Sequence, residues 1–123
     1  MKKQQSGFTL IELVMVIVIL GILAASFAPK FVDLGTGATA AAKKGAQGAV
    51  KSALTVYIAE NKANPTVTQL AGNVQGDGVS AQPTGIQVSI DGTNYIAPTY
   101  TDVACGTATS AVGDTVRCVG SIP

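Results

Sequence analysis

Hydrophobic and polar positions divide the chain into three patterns. Residues 8–28 are apolar almost without a break, interrupted only by Thr9, Glu12, Gly21 and Ser26. As a helix these 21 residues reach about 31 Å, matching a hydrocarbon core of about 30 Å, so the run is long enough to span a bilayer. Beyond it, Leu34, Ala38, Ala42, Ala46, Ala49, Ala53 and Val56 recur at steps of three and four, the stripe of an amphipathic helix. Lys43, Lys44, Gln47, Lys51 and Ser52 are assigned to its opposite, wetter surface. The two stretches together predict one long helix from Phe8 to about Asn61.

Gly21 and Pro29 are expected to interrupt that helix, since proline removes a hydrogen-bond donor and crowds the preceding turn at about 3 kcal/mol, so a bend or weak section is expected between them. Gly35, Gly37, Gly45 and Gly48 weaken the next section by about 1 kcal/mol each relative to alanine. Two readings of those glycines stand side by side: close packing of neighbouring helices over the alanine-rich tract 38–49, or a frayed turn at 35–37.

After Lys62 the composition turns to Thr, Asn, Gly, Gln and Pro, and residues 64–85 read mainly as a surface connection. It has turns at Asn64-Pro65 and Asp77-Gly78 and a short helical turn over 67–70. Ile86, Val88 and Ile90 then alternate with Gln87, Ser89 and Asp91, the period of a half-buried strand, and Asp91-Gly92 supplies a hairpin turn. Residues 95–100 return antiparallel, and 115–119 give a third strand with Val116 and Cys118 on one face. The fold class expected is α+β: a long N-terminal helix, hydrophobic then amphipathic, packed on an antiparallel sheet of three or four short strands.

The chain has 123 residues, eight basic and seven acidic side chains, no histidine and no tryptophan. That balance creates no strong field for nucleic acid or anionic lipid. Enzymatic function finds no support: no glycine-rich phosphate loop of the required form is present, and no acidic pair lies outside turn-like settings. Asp91-Gly92-Thr93-Asn94 is a fragment of a calcium-loop pattern without its remainder, and a tight turn accounts for it. No metal site and no cofactor is expected.

Glu12 needs a reason, because ionisable groups in a membrane-spanning segment are costly and a retained one points to function. One alternative is a secretory signal cut after a small-residue pair such as Ser26-x-Ala28, but such a signal requires neither Glu12 nor a glycine before Phe8. A plain membrane anchor is another, with Glu12 resting harmlessly at the interface. Lys2 and Lys3 precede the run, so its N-terminal side is expected to stay cytoplasmic and everything beyond residue 28 to face outward.

The segment Gly7-Phe8-Thr9-Leu10-Ile11-Glu12 resembles the prepilin-peptidase motif of bacterial type IV pilins and type II secretion pseudopilins. The resemblance implies a pilin fold, cleavage after Gly7 and N-methylation of Phe8 by the same peptidase. It also implies that Glu12, fifth from Phe8, pairs with the free amino group of a neighbouring subunit's Phe8. Opposite charges in apolar surroundings would then set the subunit register. The implied divisions are a leader at 1–7, a transmembrane and filament-core helix at 8–28, an amphipathic helix at 29–62, and a connecting loop and sheet head at 63–123. Removing the leader leaves 116 of the 123 residues, enough for one small domain. Similar pilins can lose helix over the stretch equivalent to Gly21 to Pro29 as the filament extends.

Cys105 and Cys118 enclose twelve residues, and a head exported to an oxidising compartment is expected to join them as a disulfide. A C-terminal disulfide loop resembles those of type IVa pilins, and residues 8–33, with Pro-Lys-Phe-Val-Asp at 29–33, look most like the mannose-sensitive haemagglutinin branch. The implied function is that of a major pilin forming a type IV pilus for adhesion, surface attachment or motility. Implied partners are further copies in a helical filament, the prepilin peptidase, the inner-membrane assembly machinery and minor pilins. The precursor would sit in the inner membrane and the assembled pilus outside the cell. The alternatives are a type II secretion pseudopilin, a family whose major members usually carry a calcium-binding acidic C-terminal loop, and a membrane-anchored binding domain that does not polymerise.

Overall fold

A computed structural model describes residues 6–123, without the side chains of residues 31–33. Lys2 and Lys3, on which the expected orientation rests, lie outside the described residues. The element order is α1 (Leu10–Asn61), α2 (Val67–Asn73), β1 (Ser80–Gln82), β2 (Gly85–Ile90), β3 (Thr93–Tyr100) and β4 (Cys118–Val119). The chain divides into two units, one ending at Gly37 and the other Ala38–Pro123.

In the first unit α1 carries apolar side chains on every side, and none of its most apolar 18-residue window is buried. By length and composition this helix can cross a membrane. Ser26, polar within that stretch, donates its hydroxyl to the Ile22 carbonyl at 3.0 Å, a local bond that keeps the side chain satisfied without water. Helix is assigned without a break from Leu10 to Asn61, so neither Gly21 nor Pro29 ends it. A single proline withdraws one donor, and established helix on both sides carries the ladder across the gap.

In the second unit the sheet has the order β1-β2-β3-β4, every neighbour antiparallel. The β2–β3 hairpin turns at Asp91 and Gly92, whose φ values of 51° and 74° are the left-handed pair that an Asp-Gly turn accommodates. Gly85 opposes Pro98 in that hairpin, and any side chain there would collide with the backbone of Ala97. The core joins Val50, Ala53 and Leu54 of α1 to Val67, Leu70 and Val74 of the α2 region. From the sheet side it takes Ile86, Val88, Ala97, Val116, Val119 and Ile122.

Four expectations are corrected. The buried seam of α1 runs through Ala46, Val50, Ala53 and Leu54, whereas Ala49 and Val56 face outward, Val56 at 51% exposure. The larger Val50 and Leu54 bury more apolar surface than the alanines of the expected stripe, and the helix is turned accordingly. Lys43 and Gln47, assigned to the wet face, are half-buried: Lys43 Nζ lies 4.3 Å from the Tyr95 ring centroid and donates to the Pro123 main-chain oxygen at 2.9 Å. Gln47 Oε1 accepts from the Ile122 N–H at 3.3 Å.

Residues 64–85, expected to be mainly surface connection, contain α2 and β1, with Pro65, Val67, Leu70 and Val74 buried. Thr66 caps α2 in a reciprocal box with Gln69. The third strand expected over 115–119 shrinks to Cys118–Val119, and Val119, not Cys118, shares the core with Val116. The reason is where the backbone bonds go. Val116 N–H donates to Pro65 O and Arg117 N–H to Tyr100 O, so residues 116–117 bridge the start of α2 to β3 in place of extending a ladder.

The rotated seam has a direct check in unfolding of the full chain in detergent. Leu54→Ala is expected to destabilise the head by about 2–5 kcal/mol. Val56→Ala is expected to change stability by no more than about 0.5 kcal/mol.

Candidate functional site

Gly7, Phe8 and Thr9 precede α1 and are not helical, and Phe8 is 92% exposed. The Gly7–Phe8 peptide bond is therefore presented on non-helical backbone, and nothing lies within 4 Å of where a Gly7 side chain would stand. Glu12 occupies the first turn of α1, where the positive end of the helix dipole favours an anion. Thr9 and Glu12 form a reciprocal pair: the Thr9 N–H donates to Glu12 Oε2 at 3.1 Å, and the Glu12 N–H donates to Thr9 Oγ1 at 3.3 Å. This is a capping box that satisfies two N–H groups the helix ladder cannot. The Thr-x-x-Glu spacing before an apolar run is its sequence signal.

This segment lies in the first unit and the two cysteines in the second. Cys105 and Cys118 are joined by a disulfide with their Cα atoms 5.5 Å apart. Cys105, at φ 57°, lies at the tip of a finger over residues 99–109. The finger closes through Thr101 N–H to Thr107 O and Thr109 N–H to Thr99 O, both at 2.9 Å. At its base the buried hydroxyls of Thr99 and Thr109 lie 2.7 Å apart, a satisfied polar pair inside the core.

Two carboxylates pin the surrounding loops. Asp102 accepts from the N–H groups of Thr107 and Gly106, and Thr107 foremost, then Gly106, hold its carboxyl below the ordinary carboxylate value. Asp114 accepts from the N–H groups of Ser110 and Ala111 and from the Ser110 hydroxyl, and the Ser110 and Ala111 N–H bonds lower it likewise. Among the described residues no group of three or more His, Cys, Asp or Glu is placed to hold a metal ion.

The description "Prokaryotic N-terminal methylation motif" fits residues 2–28. The chain is 45% identical over 74 residues to a type IV narrow pilus major component, PilA5, of Thermus thermophilus, covering 60% of this chain and 64% of that protein. It is 44% identical over 68 residues to type II secretion system core protein G of Pseudomonas aeruginosa, covering 55% of this chain and 48% of that protein. Over nearly its whole length, 98%, it is 33% identical to fimbrial protein EcpC of Eikenella corrodens, covering 78% of that protein. The matches to the first two thus span less than two thirds of those relatives' lengths. No solved structure matches the chain.

The loop carboxylates generate a pH dependence. Both are depressed when folded, so their contribution to head stability is complete above the ordinary value of 3.8 and is lost as pH falls below it. Acid titration of head unfolding is expected to show that loss, and the double variant Asp102→Asn, Asp114→Asn to flatten it. Reducing the disulfide is expected to remove about 3 kcal/mol in the chain-entropy model, read as a lower unfolding midpoint in reductant.

Proposed function

Given that this chain belongs to the type IV pilin family, we propose that it is the structural subunit of a type IV pilus. The observation that carries the reading is the first part of α1: apolar on all sides, uncovered, and bearing one carboxylate in its opening turn. Such a helix needs lipid around it before assembly and other subunits afterwards. The prepilin peptidase cuts after Gly7 and methylates Phe8. Cleavage leaves the Thr9–Glu12 box intact, because its N–H groups lie beyond the cut. Glu12 then meets the new amino group of a neighbouring Phe8, and repetition of a head-to-tail contact gives an open helical filament.

In this reading the precursor sits in the inner membrane with its leader inside. Assembly machinery and minor pilins build the pilus outside, for adhesion, surface attachment or motility. Residues 8–28 line the filament axis, Gly21 to Pro29 is the stretch able to yield as it extends, and the head belongs to the type IVa class. The role is structural, with no catalysis. A secretion pseudopilus is the second reading, favoured by the similarity to core protein G. Against it, Asp102 and Asp114 are bonded to their own loops, and the described residues offer no three-ligand acidic set for the calcium of that family's major subunits.

Mass spectrometry of filaments sheared from cells tests the proposal. The expected result is an N-terminal peptide starting at a methylated Phe8, together with the Cys105–Cys118 linkage; an uncut chain confined to the membrane would overturn it. Glu12→Gln keeps a capping acceptor but loses the charge, and is expected to lower filament yield at least about tenfold, in line with the cost of unpairing a buried charge.

A further inference from the structure

The charged side chains of residues 38–123 fall into two sets. In one, each is engaged within the chain: Lys43 with Pro123 and Tyr95, Asp102 and Asp114 with their own loops. In the other, Lys44, Lys51, Glu60, Lys62, Asp77, Asp91 and Arg117 are exposed, and their side chains make no hydrogen bond or ion pair among the described residues. Within this second set two like-charged pairs stand apart, one on the helix and one on the sheet.

Lys44 and Lys51 are two helical turns apart, so they stand on one side of α1 about 10 Å from each other. Asp77 and Asp91 share one corner of the sheet. The Ser89 N–H donates to the Asp77 main-chain oxygen at 3.3 Å, and Asp91 follows Ser89 by two residues, so the backbones of the two aspartates lie within about 10 Å at strand spacing. Beside the lysine row the exposed face of α1 carries Gly45, Gly48 and Ala49, and side chains added at the two glycines would meet nothing. Ala49, Ser52 and Val56 wall a groove with Asn73 and Gln75 at the end of α2. The helix face is therefore open, shallow and cationic, while the sheet corner is anionic.

We propose that this face of α1 docks the Asp77/Asp91 corner of a second copy, with Lys44 and Lys51 meeting the two carboxylates. The inference rests on the filament reading and adds which surfaces meet. Like faces repel: two α1 faces bring four lysines together, and two corners bring four aspartates together. Helix face to sheet corner is the arrangement in which both pairs are answered, and it is heterologous, so each copy keeps one free face for the next. A nucleic acid or an anionic membrane would use only the lysines and be repelled by the aspartates.

The test measures sheared filaments from cells making the full chain, with the membrane-held pool as control. Lys44→Glu with Lys51→Glu, and separately Asp77→Lys with Asp91→Lys, are each expected to lower filament yield at least about tenfold. All four together are expected to restore most of it. Milder variants guard against misfolding: Lys51→Gln and Asp91→Asn are expected to combine no worse than either alone, as contacting groups do. Unchanged yields in both charge reversals, or strictly additive losses in the mild pair, overturn the proposal. So does loss of binding to phosphatidylglycerol vesicles or duplex DNA with filament yield intact. Absence of filaments from the unaltered chain would instead sink the filament reading itself.

Discussion

Between residues 10 and 28 the chain buries nothing, and this unmet demand for apolar contact governs the rest. A helix that is apolar all round has no solvent-facing side to offer water, and its few polar groups are already answered locally: Ser26 by Ile22, Glu12 by Thr9. Local answering suits a segment that must exchange surroundings. Lipid and the side chains of neighbouring helices are chemically alike to its apolar sides, and two of the N–H groups at its start are already answered within the chain. The association of such helices then rests on packing and on the few charges they retain.

The head must therefore be stable on its own account, and it is small. Its buried apolar set comprises twelve side chains, three of them from α1, and a small domain buries a smaller share of its surface than a large one, so each reinforcement weighs more. Reinforcement is concentrated at the end of the chain. The disulfide closes the 105–118 loop, Asp102 braces the turn that enters it, Asp114 braces a turn within it, and the Thr99–Thr109 pair seals the finger from within. Lys43 and Gln47 then hold residues 122–123 against α1. The clamp needs a long side chain on the buried flank of the helix, since the Lys43 ammonium sits over the Tyr95 ring while it donates to the Pro123 main-chain oxygen.

What could be read from sequence followed the strength of the local signal. The apolar run, the Asp91-Gly92 hairpin and the alternation at Ile86, Val88 and Ile90 are dense patterns with one physical meaning each, and the structure keeps them. The seam of α1 failed because alanine is a weak marker of burial. Seven positions at helical spacing were mostly alanine, and the choice of face was decided by Val50 and Leu54, which that stripe omitted. In α2 the signal was present but short, Val67, Leu70 and Val74 behind a Thr66–Gln69 box. The last strand could not be delimited, because its neighbours bond to Pro65 and Tyr100, partners distant in sequence. Of the candidate site, Glu12 is marked by its cost in an apolar run, whereas the capping role of Thr9 is visible only as half of a pair.

The Thr9–Glu12 box also bears on how one carboxylate can serve two ends. A glutamate free in its first turn would lose rotamer freedom on meeting an ammonium, a cost that weakens any contact made through it. Here that freedom is already restricted by the bond from the Thr9 N–H to Oε2, so the second oxygen is held in a defined direction before a partner arrives. The helix start and the proposed intersubunit pair are thus mutually supportive: the interaction that begins α1 also orients the charge that would fix the register of the next subunit. Had the acid stood one residue earlier or later, the cap would be lost and the carboxylate would turn about 100° around the helix, away from the position the box defines. If the proposed pair forms, the spacing of three from Thr9 to Glu12 constrains assembly as much as folding.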